Sequence, residues 1–541
     1  MSRFLPILLA LVACPVLAQS DLLVLENAAE QGDSEAQYSL GEMYRLGKGV
    51  DQDNTRAVHW YRQSAEQGLA QAQLNLGHMY AKGRGVPRDD TEAVRWFLRA
   101  AEQGHAEAQY SLGIMYDSGE GVSLDDTQAV HWYRLAAEQG YAPAQHNLGL
   151  MYSQGEGVTL DNAQAVHWYQ KAAEQGAVHA QFNLAVMYHK GQGVPRDAEQ
   201  AAHWYHKAAA QGVALAQHNL GLMYKWGQGV PRDAAQAMHW YQKAAEQGDS
   251  LAQFNLATMY LQGEGTSENA AQAARWYRQA AEQGLAQAQH HLGDMYRRGE
   301  GVPQDDTQAA HWYRQAAEQG ATQAQVSLGG MYTQGQGVQR DYQQAVHWLR
   351  RAAEQGHALA QYNLGAMYAR GAGVPQDYVQ TAHWYRQAAE QGLPVAQFSL
   401  GAMHARGQGV SQDAAQAVHW YQKAAEQEHA WAQFNLGVMY ARGQGVKQDD
   451  TQAAHWYRQA AEQGFADAQF NLGAVYAIGE GLPRDDVQAY AWLDAAAAQG
   501  NEQANKLRDA LAKDMTPAAI EQAENLSQEY REAYAADRGM M

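Results

Sequence analysis

One tryptophan column limits what this chain can fold into. Trp60, Trp96, Trp132, Trp168, Trp204, Trp240, Trp276, Trp312, Trp348, Trp384, Trp420, Trp456 and Trp492 recur every 36 residues, thirteen times, with no insertion between them. A period of this length, held over most of 541 residues, marks a solenoid. Each unit of such a chain buries its apolar faces only against its neighbours.

The stretch Ala432 to Gly464, AQFNLGVMYARGQGVKQDDTQAAHWYRQAAEQG, serves as the model unit. Ala432, Leu436, Met439 and Tyr440 fall at i, i+4, i+7 and i+8, the apolar face of a first helix. Gly443 and Gly445 follow, and the pair returns in every unit from Gly47 and Gly49 to Gly479 and Gly481. The first glycine stands where a helix C-cap needs a left-handed residue without a Cβ. A second helix opens at Asp449, with Gln452 at capping-box spacing. That cap column is Asp in twelve units and Asn269 in the other. Ala453, Trp456, Tyr457, Ala460 and Ala461 form its buried stripe, and Gly464 closes it. Gly437 sits mid-helix, where glycine costs about 1 kcal/mol against alanine. Its column admits only Ala185 and Ala257 as replacements, which predicts a close crossing of the two helices.

Together, L-G-x-M-Y, G-x-G-V, the Asp cap and W-Y-x-x-A-A-E-Q-G resemble the Sel1-like repeat, a relative of the tetratricopeptide repeat, over about residues 34 to 500. Glu428 in place of the closing Gly, His404 in place of the Tyr and Val475 in place of the Met depart from the pattern. The resemblance implies an all-α fold, a right-handed αα superhelical solenoid of thirteen 36-residue helix-turn-helix repeats with helical caps. It also implies an adaptor role, as for Sel1-like proteins in signalling, secretion and envelope complexes. Some secreted relatives carry a disulfide in each repeat. Here Cys14 is the only cysteine, so that trait does not carry over.

Residues 1–18 read as a secretory signal peptide: Arg3 supplies charge, Phe4 to Val12 the apolar run, and Val16-Leu17-Ala18 the cleavage site before Gln19. The run is too short to span a membrane. Leu11-Val12-Ala13-Cys14 resembles a lipoprotein box, but Pro15 is an awkward neighbour for a lipidated cysteine. The expectation is a soluble exported protein, periplasmic or secreted. Residues 19–33 are expected to form an N-terminal capping helix, 34–500 the thirteen repeats, and 501–541 C-terminal capping helices. In the last segment Thr516 is the expected N-cap and Pro517 the first helical residue.

The chain offers little that resembles chemistry. The Gly-x-Gly turns lack a third glycine and follow a helix rather than a strand, so they are not dinucleotide sites. The mature chain contains neither Ser-x-x-Lys nor His-Glu-x-x-His. Ten of the 22 histidines precede the repeat Trp. Neighbours in that ladder stand about 10 Å apart and cannot share one metal; His203 and His206, at i and i+3, make at most a weak chelating pair. No cofactor and no metal are expected. A net charge of −19 argues against a nucleic-acid partner.

At 100° per residue, the positions of Phe434, Val438 and Ala441 turn away from the core stripe, with Asn435 and Arg442 beside them. In tetratricopeptide-like superhelices the first helices line the concave face. Tyr362, Asn363, Arg370, Phe398, Arg406, Phe434, Asn435, Arg442, Phe470 and Asn471 are therefore the candidate groove residues. Aromatics can cover side chains of an extended peptide, amides can pair with its main chain, and arginines can hold carboxylates. The expected function is a non-catalytic scaffold or adaptor of the bacterial cell envelope that binds protein segments. The alternative is a binder of cell-wall glycan or stem peptide. Flat, exposed aromatics favour sugar, and Asn side chains aimed into the groove favour peptide.

Overall fold

The computed structural model describes residues 15–535. Of the segment read as a signal peptide, residues 1–14 lie outside the described residues. Twenty-nine α-helices and one 3-10 turn, Ala512–Asp514, make up the regular structure of the described residues, and no strand occurs among them. The helices are numbered α1 (Pro15–Glu30) to α29 (Pro517–Ala535) in chain order. Even-numbered helices from α2 (Ser34–Leu46) to α26 (Ala466–Ile478) are first helices of the repeats, and odd-numbered ones from α3 (Asn54–Glu66) to α27 (Asp486–Ala497) are second helices. No described helix is long and apolar enough to cross a membrane.

The chain divides into two compact units between Glu268 and Asn269. The boundary falls in an inner loop where Thr266 replaces the usual Val. In the first unit α1 packs on α2. The second ends with α27 covered by α28 (Glu502–Leu511) and α29. There Tyr530 stacks on Trp492 at 4.0 Å. Asp494 ties the three helices through Arg508 at 2.7 Å and Ser527 at 2.8 Å.

Local chemistry sets each helix end. Gly443 adopts φ 63°, ψ 33° and donates its N–H to the carbonyls of Met439 and Tyr440. Asp449, extended at φ −154°, accepts from the Gln452 N–H at 2.9 Å. The reciprocal half of a capping box is supplied differently. The Asp449 N–H donates to the Tyr440 carbonyl at 3.1 Å, and the same bond runs from Asp53 to Tyr44 and from Asp485 to Tyr476. The inner loop folds back far enough for the first helix to satisfy the cap of the second. Glu428, in a position otherwise held by glycine, is the one described non-glycine with positive φ, at 63°, a cost of about 1–2 kcal/mol.

Packing explains both special glycines. A Cβ on Gly437 would lie 2.7 Å from Tyr457 Cδ1, so the two helices cross as closely as the small-residue column predicts. A Cβ on Gly445 would lie 2.3 Å from the carbonyl of Ala414, the first residue of α23 (Ala414–Ala425) in the preceding repeat. The first glycine of the pair thus ends a helix, while the second lets one repeat rest on the backbone of another. A glutamine spine adds a polar tie. Gln433 is 1% exposed; its Nε2 donates to the Ala425 carbonyl at 3.1 Å, and its Oε1 accepts from Gln463 Nε2 at 2.8 Å. Around these ties Leu436, Tyr457, Ala460 and Ala461 are buried. A fully buried Leu contributes roughly 1.5–3 kcal/mol.

Candidate functional site

Four consecutive first helices of the second unit carry all the candidate residues: α20 (Ala358–Arg370), α22 (Pro394–Arg406), α24 (Ala430–Arg442) and α26. Leu436 and Met439 face inward on α24 because the second helix buries them. Trp431, Phe434, Val438 and Ala441, spaced by three and four residues, then share the opposite stripe.

The aromatic rings are half-buried. Tyr362 stacks on Tyr385 at 5.1 Å and 20°. Phe398 stacks on His429 at 4.9 Å and tilts against Tyr421 at 5.8 Å. Phe434 meets Phe465 at 5.2 Å and Tyr457 at 6.1 Å. Phe470 packs on Leu493, Ala496 and Ala504. Each ring is seated on neighbouring side chains and offers part of its surface rather than an open platform.

The three amides differ in how far the protein engages them. Asn435 Nδ2 donates to the Trp431 carbonyl one turn earlier, at 2.7 Å. Asn471 lies beside the Tyr457 hydroxyl of the preceding repeat and opposes the rise that burial gives its pKa. Asn363 faces a repeat in which Leu349 replaces that tyrosine.

Arg370, Arg406 and Arg442 are exposed and form no ion pair with the described residues. α20, α22 and α24 contain no acidic residue, and α26 contains only Asp467 in its first turn. Each guanidinium acts on a phenol of the second helix of its own repeat. Burial raises the Tyr385, Tyr421 and Tyr457 hydroxyls, Tyr421 to about 12, while Arg370, Arg406 and Arg442 respectively pull them back. These hydroxyls stay neutral near pH 7, leaving the guanidinium charges uncompensated.

Three exposed apolar residues also belong to this face and were not singled out from sequence: Leu359, Trp431, 52% exposed, and Ile478. Trp431 packs edge-on against Phe465 at 4.5 Å. The available signal was its position outside the repeating Trp column, where the neighbouring repeats place Val395 and Asp467. All ten histidines of the ladder are exposed; His455, for example, stands edge-on to Trp456 at 5.0 Å.

The Sel1 repeat model matches thirteen successive segments, the first at residues 34–69 and the last at 466–501. A solved protective antigen present in uropathogenic Escherichia coli strains, displaying an SLR fold, is 44% identical, with a TM-score of 0.71, over 83% of this chain and 97% of its own. A solved Sel1 repeat protein from Oxalobacter formigenes is 32% identical over 68% of this chain and 97% of its own, with a TM-score of 0.44. The chain has no match among curated proteins. Thirteen matched repeats, together with 44% identity to a solved protein of the same fold over most of both chains, place this chain in the Sel1 repeat family.

Proposed function

We propose that this protein is a non-catalytic adaptor of the bacterial cell envelope, acting after export, and that the face formed by α20, α22, α24 and α26 binds an extended acidic segment of a partner protein. One observation carries this reading: Arg370, Arg406 and Arg442 repeat without ionic partners on helices α20, α22 and α24, which contain no acidic residue, the one acid of the face being Asp467 at the start of α26. Successive first helices present them about 10 Å apart. A polyproline II segment has three residues per turn and rises about 3.1 Å per residue. Acidic residues at i, i+3 and i+6 therefore fall about 9 Å apart along one side of such a segment. The apolar stripe of Trp431, Phe434, Val438 and Ala441 covers the intervening side chains, and arginines form directional pairs with carboxylates. The seated aromatics favour this arrangement over flat sugar stacking, and Asn435, already bonded to the Trp431 carbonyl, is not free for main-chain pairing.

The test is fluorescence anisotropy with a labelled peptide carrying Glu at i, i+3 and i+6, its Gln counterpart, and a muropeptide. The full-length exported chain should bind the Glu peptide. Arg370→Glu, Arg406→Glu and Arg442→Glu combined should weaken that binding by at least about a hundredfold, near 2.7 kcal/mol. Equal binding by the variant, or preference for the muropeptide, overturns the acidic-segment reading; the second outcome supports cell-wall recognition.

A further inference from the structure

α16 (Ala286–Arg298) differs from α24 at three neighbouring positions. Where α24 has Phe434, Asn435 and Val438, α16 has His290, His291 and Asp294. Asp294 lies three and four residues beyond the histidines, so one helical turn brings all three side chains to one side. One potential ligand atom from each lies within 4.8 Å of the other two.

The polar contacts in this cluster have a particular form. His290 Nδ1 stands 3.7 Å from Asp294 Oδ2, beyond a hydrogen bond. That gap suits two ligands each about 2.1 Å from a shared ion. The other carboxylate oxygen, Oδ1, accepts the Tyr313 hydroxyl at 2.5 Å, which orients the acid from behind, as second-sphere donors do. His290 Nε2 is buried with no hydrogen-bond partner. The His291 ring lies flat on Tyr277 at 5.3 Å and 11°. Burial first, then nearby positive groups, holds both imidazoles below their usual range despite Asp294. Arg297 and Arg298 oppose a cation here and temper its affinity.

We infer that His290, His291 and Asp294 form a binding site for a divalent first-row transition-metal ion of zinc's class. Two nitrogens and one oxygen are a donor set for such ions, and three protein ligands leave a coordination position for water or a partner's side chain. This site is separate from the arginine face and does not rest on the adaptor reading.

Calorimetric titration of the full-length exported chain with Zn2+ tests it. The combined variant His290→Phe, His291→Asn and Asp294→Val installs residues that α24 already uses, and circular dichroism checks its folding. Wild type should bind one equivalent that this variant lacks, while His203→Gln with His206→Gln should retain it. His291→Asn alone should weaken that equivalent at least about tenfold, which keeps the test decisive if the triple variant misfolds. Unchanged zinc stoichiometry and affinity in both cluster variants, or no zinc uptake by wild type, overturns the inference.

Discussion

Parts of the first unit and the helices α20 to α24 share one scaffold but treat charge in opposite ways. On α2, Glu42 pairs with Arg45 at 2.6 Å and accepts hydrogen bonds from Asn75, at 2.7 Å, and from the Tyr61 hydroxyl. Elsewhere in that unit Tyr133 donates to Asp117 at 3.0 Å, and His218 meets Asp249 at 3.0 Å. Glu42, Asp117 and Asp249 are thus met within the protein, whereas Lys82 and Lys190, in the column of Arg442, are exposed on helices without acids. On α20, α22 and α24 the corresponding stripe is apolar, and its arginines are left without acids. Fold-level columns are therefore a poor guide to where a partner binds. The useful signal is whether a repeat completes its own electrostatics, because an exposed cation without a partner can pair with an incoming carboxylate, whereas a paired one must first give up an existing contact.

Three measurements would break or sharpen this contrast. The largest effect should be shared, because it concerns the scaffold. Gly121→Ala and Gly445→Ala each place a Cβ within 2.4 Å of backbone atoms of the preceding repeat in a left-handed conformation. Each should cost about 3 kcal/mol, seen as a similar loss of amide hydrogen-exchange protection around the substituted repeat. A large cost in one unit only would mean that the two stack their repeats differently.

The next effect should separate the regions. Arg45→Ala leaves the partly buried Glu42 without its cation and should lower stability by about 1 kcal/mol. Arg442→Ala should stay within about 0.5 kcal/mol while weakening peptide binding. Equal thermal midpoint shifts for the two variants would contradict the division between self-satisfied and available charge.

The smallest effect concerns acid. Burial raises Glu42 and Asp249, but hydrogen bonds outweigh it: Arg45 and Tyr61 act on Glu42, and His218 and the Ala252 N–H on Asp249, leaving both carboxyls below their usual range. A depressed carboxyl contributes stability that is present above its unfolded pKa of about 4 and is lost as pH falls through the lower folded value. Glu42→Gln with Asp249→Asn should flatten the decline of the thermal midpoint below about pH 4.5. An unchanged acid limb would show that these contacts add little.

Much of the architecture was legible because its causes are local and repeated. The Trp spacing, the Asp caps, the first glycine of each turn and the small column at Gly437 all report constraints within one repeat, and thirteen copies make them plain. The candidate face was legible as a set of positions, since 100° per residue places Phe434 and Val438 opposite Leu436. Its chemistry was not. Asn471 lies beside Tyr457, fourteen residues earlier, and Phe398 rests on His429, thirty-one residues later. Trp431 is exposed because the turn of α24 leaves it outside the core.

The sequence by itself determined the helices, their ends and the repeat that pairs them, because capping, glycine conformation and apolar periodicity act within about ten residues. Only the tertiary structure decided what the second glycine of each turn is for, why a glutamine lies buried in every repeat, which acceptor completes each Asp cap, and which charges remain unpaired. Each depends on a contact between helices or between repeats, where a difference of an ångström separates a hydrogen bond from a gap.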